Sequence, residues 1–164
     1  MLRDKSPSKL IFLHLIAILF AIFNLSNVKI AGLTNVMPLL DLMMIFYFAI
    51  FLDVFAIWFI FILGIWNDAL SGNPLGTTAL CYILLIKLFL LLNSKMIIRE
   101  NFNQIWQQFI VFCALFLLMK WLILSVFFGS FFSIVTALVQ LFLSSVVYVL
   151  MHKFFDYLYS KLLK

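Results

Sequence analysis

Two long apolar stretches dominate this sequence and limit what it can fold into. Residues 36–66 carry charge only at Asp41 and Asp53, and residues 105–151 form a second apolar stretch of 47 residues. A helix of 31 residues would be about 46 Å long, whereas the hydrocarbon core of a bilayer is about 30 Å thick. We therefore predict two helices from each stretch, with turns at Asp53, where a charge can lie at the membrane surface, and at Gly129.

The composition excludes a water-soluble domain. Apolar residues make up 67% of the 164 residues and charged residues 10%, whereas a soluble domain is about 45–50% apolar and about 25% charged. A chain this short leaves much of its surface exposed, and disordered chains are polar. We therefore expect an all-α integral membrane protein.

Six membrane-spanning helices fit the apolar segments, at about 10–25, 36–52, 54–67, 75–92, 105–128 and 131–151. With both termini in the cytoplasm, one outer loop holds Lys29, and the inner side holds Arg3, Lys5, Lys9, Lys95, Arg99, Lys153, Lys161 and Lys164. This distribution follows the positive-inside rule. Residues 152–164 alternate polar and apolar side chains at helical spacing, which predicts an amphipathic tail on the inner leaflet. Four spans are the alternative, if each long stretch is one bent element.

Small residues recur at regular spacing between the third and fourth predicted spans. Gly64, Asp68, Gly72 and Gly76 follow one another at intervals of four residues. Gly72 can adopt the positive φ that ends a helix, and Pro74 suits the first turn of the next helix. Because small residues allow helix backbones to approach closely in lipid, we predict that this segment forms a tight helix–helix contact and the core of a docking surface.

The charged residues of the spans have alternative interpretations. We favour Asp68 as a polar anchor that holds the turn, and the alternative is a substrate or proton site. One predicted ion pair joins Asp53 to Lys87. A second would join Lys120 to Asp68 or to Asp41. Either lysine can instead extend its ammonium group to the membrane surface along its own aliphatic stem.

No catalytic or metal-binding motif is present in the sequence. Cys81 and Cys113 lie within apolar runs without a second cysteine nearby, and His14 and His152 are isolated. There is no phosphate-binding lysine loop, dinucleotide fingerprint or HExxH pattern. The net charge of +5 arises from residues that flank the spans, so it does not indicate nucleic-acid binding. We expect no enzymatic activity, no cofactor and no metal ion.

Several residues form a pattern that is found in a known family. Pro38 opens an apolar segment, and the motif Gly64-x-x-x-Asp68-x-x-Ser71-Gly72-x-x-Leu75-Gly76 follows. A polar loop then precedes Trp106-Gln107-Gln108. Together with the length and the arrangement of spans, this pattern resembles the MreD family of bacterial rod shape-determining membrane proteins.

The resemblance implies a non-enzymatic scaffold in the bacterial inner membrane. Such a protein would bind MreC and support peptidoglycan synthesis and cell shape together with MreB, RodA and a penicillin-binding transpeptidase. The family is also similar in fold to the substrate-binding subunits of energy-coupling-factor transporters, which have six helices. The residues expected to form the partner-binding or structural motif are Gly64, Asp68, Ser71, Gly72, Pro74 and Gly76.

The alternative function is a small-molecule-binding carrier subunit or transporter. It would require a polar cavity among the helices, with Asn67, Asp68 and Asn73 at its outer mouth.

Overall fold

A computed structural model describes residues 7–23, 37–52, 54–92, 101–129 and 133–162. Within these ranges the chain is almost wholly helical and contains no β-strand, which confirms the all-α prediction. The elements are α1 (Pro7–Phe23), α2 (Leu40–Ile45) with a π-helical continuation (Phe46–Phe51), α3 (Ile57–Ser71), α4 (Thr77–Leu92), α5 (Phe102–Phe128) and α6 (Ile134–Leu162).

Each long apolar stretch is divided between two helices. In the first stretch the π-helical segment ends at Phe51, and α3 begins at Ile57. Asp53 lies between them but outside the described residues. In the second stretch α5 ends at Gly129, which has φ = 60°. A left-handed residue of this kind closes a helix, and glycine adopts it without a steric penalty.

The α2 helix and its π-helical continuation form the centre of the bundle. Every residue from Asp41 to Ile50 is buried, as expected of a helix that is apolar on all sides. The Phe46 ring lies 5.4 Å from the Phe109 ring of α5 and 5.9 Å from the Tyr148 ring of α6. The other helices therefore pack around this short element.

Two helices in the described part of the chain are long and apolar enough to cross a membrane. They are Phe102–Phe128 and Ile134–Lys161, and the remaining apolar helices are shorter. Large apolar side chains also cover much of the outer surface, including Val126 at 82% and Leu91 at 78% exposure. Such a surface suits lipid better than water. The count of six spans stays a prediction.

The segment predicted as an amphipathic tail continues α6 without a break as far as Leu162. Its Phe155 is fully buried and lies 5.4 Å from the Tyr47 ring and 5.6 Å from the Phe48 ring. This part of the helix is thus packed against the centre of the bundle.

Candidate functional site

Asp68 holds the turn between α3 and α4. Its Oδ2 accepts hydrogen bonds from the backbone N–H of Gly76 at 3.0 Å and of Thr78 at 2.9 Å, and its Oδ1 accepts one from the Thr78 hydroxyl. These N–H groups belong to the start of α4, where no partner exists within the helix. The carboxylate is fully buried. Asp68 therefore caps α4 from the end of the preceding helix, an arrangement that also complements the helix dipole.

The turn itself is built by two glycines in the left-handed region. Gly72 has φ = 69° and ends α3, while Gly76 has φ = 96°. A Cβ added at either position would meet nothing within 4 Å. Their role is thus conformational, because only glycine adopts these φ values readily. Pro74 lies between them, and its carbonyl accepts a hydrogen bond from the Thr77 hydroxyl at 2.9 Å.

Gly64 lies at the closest approach of α3 and α4. An added Cβ there would be 2.6 Å from the backbone nitrogen of Ala79, closer still to its Cα, and 2.8 Å from its Cβ. The two helix backbones are therefore nearly in contact, and Gly64 is buried between them. The structure thus places Gly64 inside the protein, between α3 and α4.

Asp41 is the centre of a second buried polar cluster. Its Oδ2 accepts hydrogen bonds from the Asn67 amide at 2.6 Å and the Tyr82 hydroxyl at 2.5 Å, and its Oδ1 accepts one from the Leu42 backbone N–H at 2.8 Å. The Ser71 hydroxyl donates to Asn67 Oδ1 at 3.1 Å. The cluster joins α2, α3 and α4. We call these residues the Asp41 cluster.

The two clusters are adjacent, because Asn67 and Asp68 are neighbours on α3. A buried carboxylate is tolerated only when donors satisfy it. Both Asp41 and Asp68 receive three or more hydrogen bonds from within the chain. The arrangement can therefore fix three helices relative to one another.

Substitution of Tyr82 tests the Asp41 cluster by removing one of its hydrogen bonds. We expect Tyr82→Phe to lower the free energy of unfolding by about 1 kcal/mol, because one hydrogen bond is lost while Asn67 and Leu42 still satisfy the carboxylate. The measurement is thermal unfolding in detergent. Leu80→Phe, on the exposed face of the same helix, is the control and should leave stability unchanged. An effect of Tyr82→Phe no larger than that of the control would contradict the assigned hydrogen bond.

The predicted ion pairs have separate outcomes. Asp68 and Lys120 form no ion pair within the described ranges, since Asp68 bonds to α4 and the Lys120 ammonium lies 5.8 Å from the centre of the Phe116 ring. Asp53 lies outside the described residues, so the Asp53–Lys87 pair stays a prediction. Lys87 itself is exposed on α4.

A row of polar side chains along α6, which we call the α6 polar ridge, was not predicted from the sequence. Polar side chains recur there at intervals of four residues, at Thr136, Gln140, Ser144, Tyr148, His152, Asp156 and Ser160. Near one end of this α6 polar ridge, Gln140 donates to the backbone carbonyl of Met37 at 3.0 Å, and Ser144 accepts from the backbone N–H of Leu39 at 3.1 Å. These hydrogen bonds satisfy a backbone carbonyl and a backbone N–H group just before α2. The four-residue spacing was the signal, because residues four positions apart are neighbours on the surface of a helix.

The other end of the α6 polar ridge contacts the π-helical segment. The Tyr47 hydroxyl donates to Asp156, and His152 Nε2 lies 3.5 Å from the same carboxylate. The Tyr148 hydroxyl is 3.4 Å from His152 Nδ1. The ridge therefore fastens both ends of the central element to α6. In the described ranges, no group of three or more His, Cys, Asp or Glu residues is arranged to hold a metal ion.

Two surface features lie beside these clusters. A groove of about 950 Å³ follows the exposed face of α4 and is lined by Phe61, Pro74, Leu75, Gly76, Thr77, Leu80, Ile83, Leu84, Lys87, Leu88, Leu91, Ile123 and Phe127. A smaller cavity of about 260 Å³ opens between α5 and α6. The groove is almost entirely apolar, whereas the cavity mixes polar and apolar side chains.

Comparison with known proteins gives one family. The family model for rod shape-determining protein MreD matches residues 7–162, nearly the whole chain. An uncharacterized protein of Rickettsia prowazekii (strain Madrid E) is 27% identical over 117 residues, which cover 70% of this chain and 65% of that relative. No solved structure gives a significant match. The similarity in fold to energy-coupling-factor subunits stays a prediction.

Proposed function

This chain belongs to the MreD family of rod shape-determining proteins, and from that membership we propose that it is a non-enzymatic scaffold of the bacterial cell-elongation complex. In this proposal it lies in the inner membrane with both termini in the cytoplasm and six spans. It binds MreC, and it supports peptidoglycan synthesis in a complex with MreB, RodA and a penicillin-binding transpeptidase.

The observation that carries this proposal is the internal use of the buried carboxylates. Asp41 and Asp68 direct their oxygens to donors on neighbouring helices of the same chain. A reactive or transported group would require such side chains to face an open cavity. Because both carboxylates are hydrogen-bonded within the chain, we favour a rigid helical bundle whose function depends on contacts at its surface.

The groove along α4 is the surface that we propose for MreC. It extends from Pro74 to Leu91, and α4 has 16 residues, which corresponds to about 24 Å of helix. Its walls come from α3 and α5, so it has the shape of a trough parallel to a helix. The occupant proposed is the single membrane-spanning helix of MreC. In lipid, such an association is driven by close packing, which a trough of apolar side chains provides.

The shape of this trough would depend on the motif residues. Pro74 and Gly76 lie at one end of the groove, and Asp68 and Gly72 fix the turn that carries them. Gly64 holds α3 against α4 and thereby sets the width of the trough. Most of the motif residues would thus support MreC binding indirectly, by holding α3, α4 and the turn between them in place. Pro74 and Gly76 would contact MreC directly, because they line the groove.

The carrier alternative has less support. It requires Asn67 and Asp68 at an open mouth, but their exposed fractions are 5% and 0%. Asn67 donates to Asp41 and accepts from Ser71, so its amide is engaged on both sides. No observation in the described ranges favours a ligand at this position.

Crosslinking in the membrane tests the proposed docking surface. A photo-crosslinking residue at Leu80, Leu84 or Leu91 is expected to capture MreC, because these positions line the groove and are exposed. The matched controls are Phe142 and Leu150, which are exposed on α6 outside the groove. We expect at least a fivefold higher yield from α4. Equal yields from both helices, or capture from α6 alone, would reject the groove as the site.

A further inference from the structure

The cavity between α5 and α6 contains a basic side chain and several polar side chains. Lys120 enters from α5, Thr136 and Gln140 enter from α6, and Ser133 lies just before α6. The volume is about 260 Å³, whereas a water molecule occupies about 30 Å³ in the liquid. The cavity therefore has room for a polar headgroup.

Lys120 has no acidic partner within the ranges that the structure describes. The acids present there are Asp41, Asp68 and Asp156, and each is hydrogen-bonded elsewhere, to Tyr82, Thr78 and Tyr47 respectively. Its ammonium group lies 5.8 Å from the centre of the Phe116 ring. A partly buried cation in an apolar bundle is costly unless an anion accompanies it.

The polar groups around Lys120 are suited to an anion. Thr136 and Ser133 also line the cavity and carry hydroxyl groups that can donate hydrogen bonds. Gln140, another lining residue, donates to the carbonyl of Met37 and is thereby held in place. Ammonium and hydroxyl groups are donors from which a phosphate oxygen accepts hydrogen bonds. No carboxylate lines this cavity.

The surroundings favour a lipid phosphate over a free anion. An apolar groove of about 440 Å³ runs between the same two helices and shares Leu117, Trp121 and Ala137 with the cavity. Leu118 and Leu138 are exposed on this groove. A free anion gains nothing from such a surface, whereas acyl chains pack against it.

We propose that the α5–α6 cavity binds the headgroup phosphate of an anionic phospholipid, with Lys120 as the charge partner and Thr136 as a hydrogen-bond donor. The acyl chains lie against the neighbouring apolar groove. The site is separate from the groove proposed for MreC, which lies along α4. A lipid bound here would fasten α5 to α6.

The test uses the full chain purified in a neutral detergent. Phosphatidylglycerol is titrated in and compared with phosphatidylcholine that has the same acyl chains, and retained lipid is counted by native mass spectrometry. Inorganic phosphate is a third arm. We expect phosphatidylglycerol to bind and to raise the Tm by several degrees, whereas phosphatidylcholine binds at least tenfold more weakly and inorganic phosphate does not change the Tm.

Three variants assign the effect to the cavity. Lys120→Gln should weaken phosphatidylglycerol binding at least tenfold, Thr136→Val should weaken it about threefold, and Lys120→Arg should retain it. Lys153→Gln is the matched control, because Lys153 is an exposed lysine on α6 outside the cavity, and it should bind lipid as the wild type does. The Tm of each variant without added lipid shows that it is folded.

Several results would overturn this proposal. Unchanged phosphatidylglycerol binding in both folded Lys120→Gln and Thr136→Val would remove the cavity as the site. Equal binding of the two lipids would remove the charge as its basis. Stabilisation by inorganic phosphate equal to that by phosphatidylglycerol would assign the site to a free anion instead of a lipid.

Discussion

Replacing Gly64 with alanine is expected to lower the midpoint of thermal unfolding in detergent by about 4–8 °C. The added Cβ would overlap the backbone of Ala79 at its nitrogen and Cα, so α3 and α4 must move apart. Overpacking of a tight contact costs about 3 kcal/mol. Alanine stabilises a helix by about 1 kcal/mol relative to glycine, so the net loss in free energy of unfolding is about 2 kcal/mol. In a chain of this size, each kcal/mol lowers the unfolding midpoint by about 2–4 °C.

Two companion variants separate the clash from other effects. Gly72→Asn is the matched control, because an added Cβ meets nothing within 4 Å and asparagine tolerates the left-handed conformation of Gly72. It should lie within about 2 °C of the wild type. Adding Ala79→Gly to Gly64→Ala should restore little stability, since the backbone atoms of residue 79 remain in the way. A Gly64→Ala variant as stable as the wild type would mean that the two helices are not in close contact.

The local features of the turn between α3 and α4 could be predicted from the sequence. Gly72 and Pro74 are recognisable because helix ends depend on backbone conformation, which is a property of single residues and their neighbours. The preferred interpretation of Asp68 as a polar anchor agrees with its hydrogen bonds to the start of α4. Its partner Thr78 is only 10 residues away, so a short turn brings the two together without help from distant parts of the chain.

The Asp41 cluster could not be predicted in the same way. Asp41 bonds to Asn67, 26 residues away, and to Tyr82, 41 residues away. Such pairs depend on how three helices pack, and hydropathy patterns do not encode which polar side chain faces which. The sequence therefore suggested a lysine as the partner of a buried acid, whereas the structure uses neutral donors. Neutral donors satisfy a carboxylate without the cost of burying a second charge.

The α6 polar ridge lies between these two cases. Its four-residue spacing is visible in the sequence, but the helix is so apolar overall that hydropathy alone does not indicate a polar row. What they contact, namely Met37 and Leu39 before α2 and Tyr47 in the π-helical segment, depends on tertiary structure. A spacing pattern thus identifies a continuous row of neighbouring side chains on a helix, whereas the partners of that row depend on the packing of the bundle.

Replacing Asp68 with alanine is expected to be the most destabilising change at the turn, with a loss of about 3–5 kcal/mol. The Thr78 side chain is fully buried, and both its N–H and its hydroxyl would lose their acceptor, as would the N–H of Gly76. A buried donor without a partner costs about 1–3 kcal/mol. A decrease of this size corresponds to about 6–20 °C in the unfolding midpoint, and poor expression would accompany it.

The conservative variants distinguish capping from a chemical role for the Asp68 carboxylate. Asp68→Asn keeps one oxygen as an acceptor, but its NH₂ group would face another hydrogen-bond donor of Gly76 or Thr78. It should therefore lose about half as much stability as Asp68→Ala. Thr78→Val, which removes only the hydroxyl, should lose about 1 kcal/mol. If Asp68 serves as a proton or substrate site instead, Asp68→Asn would abolish function in a rod-shape complementation assay while leaving the unfolding midpoint unchanged. A graded loss of stability in the order Thr78→Val, Asp68→Asn, Asp68→Ala, with cell shape failing in the same order, is the result that capping requires.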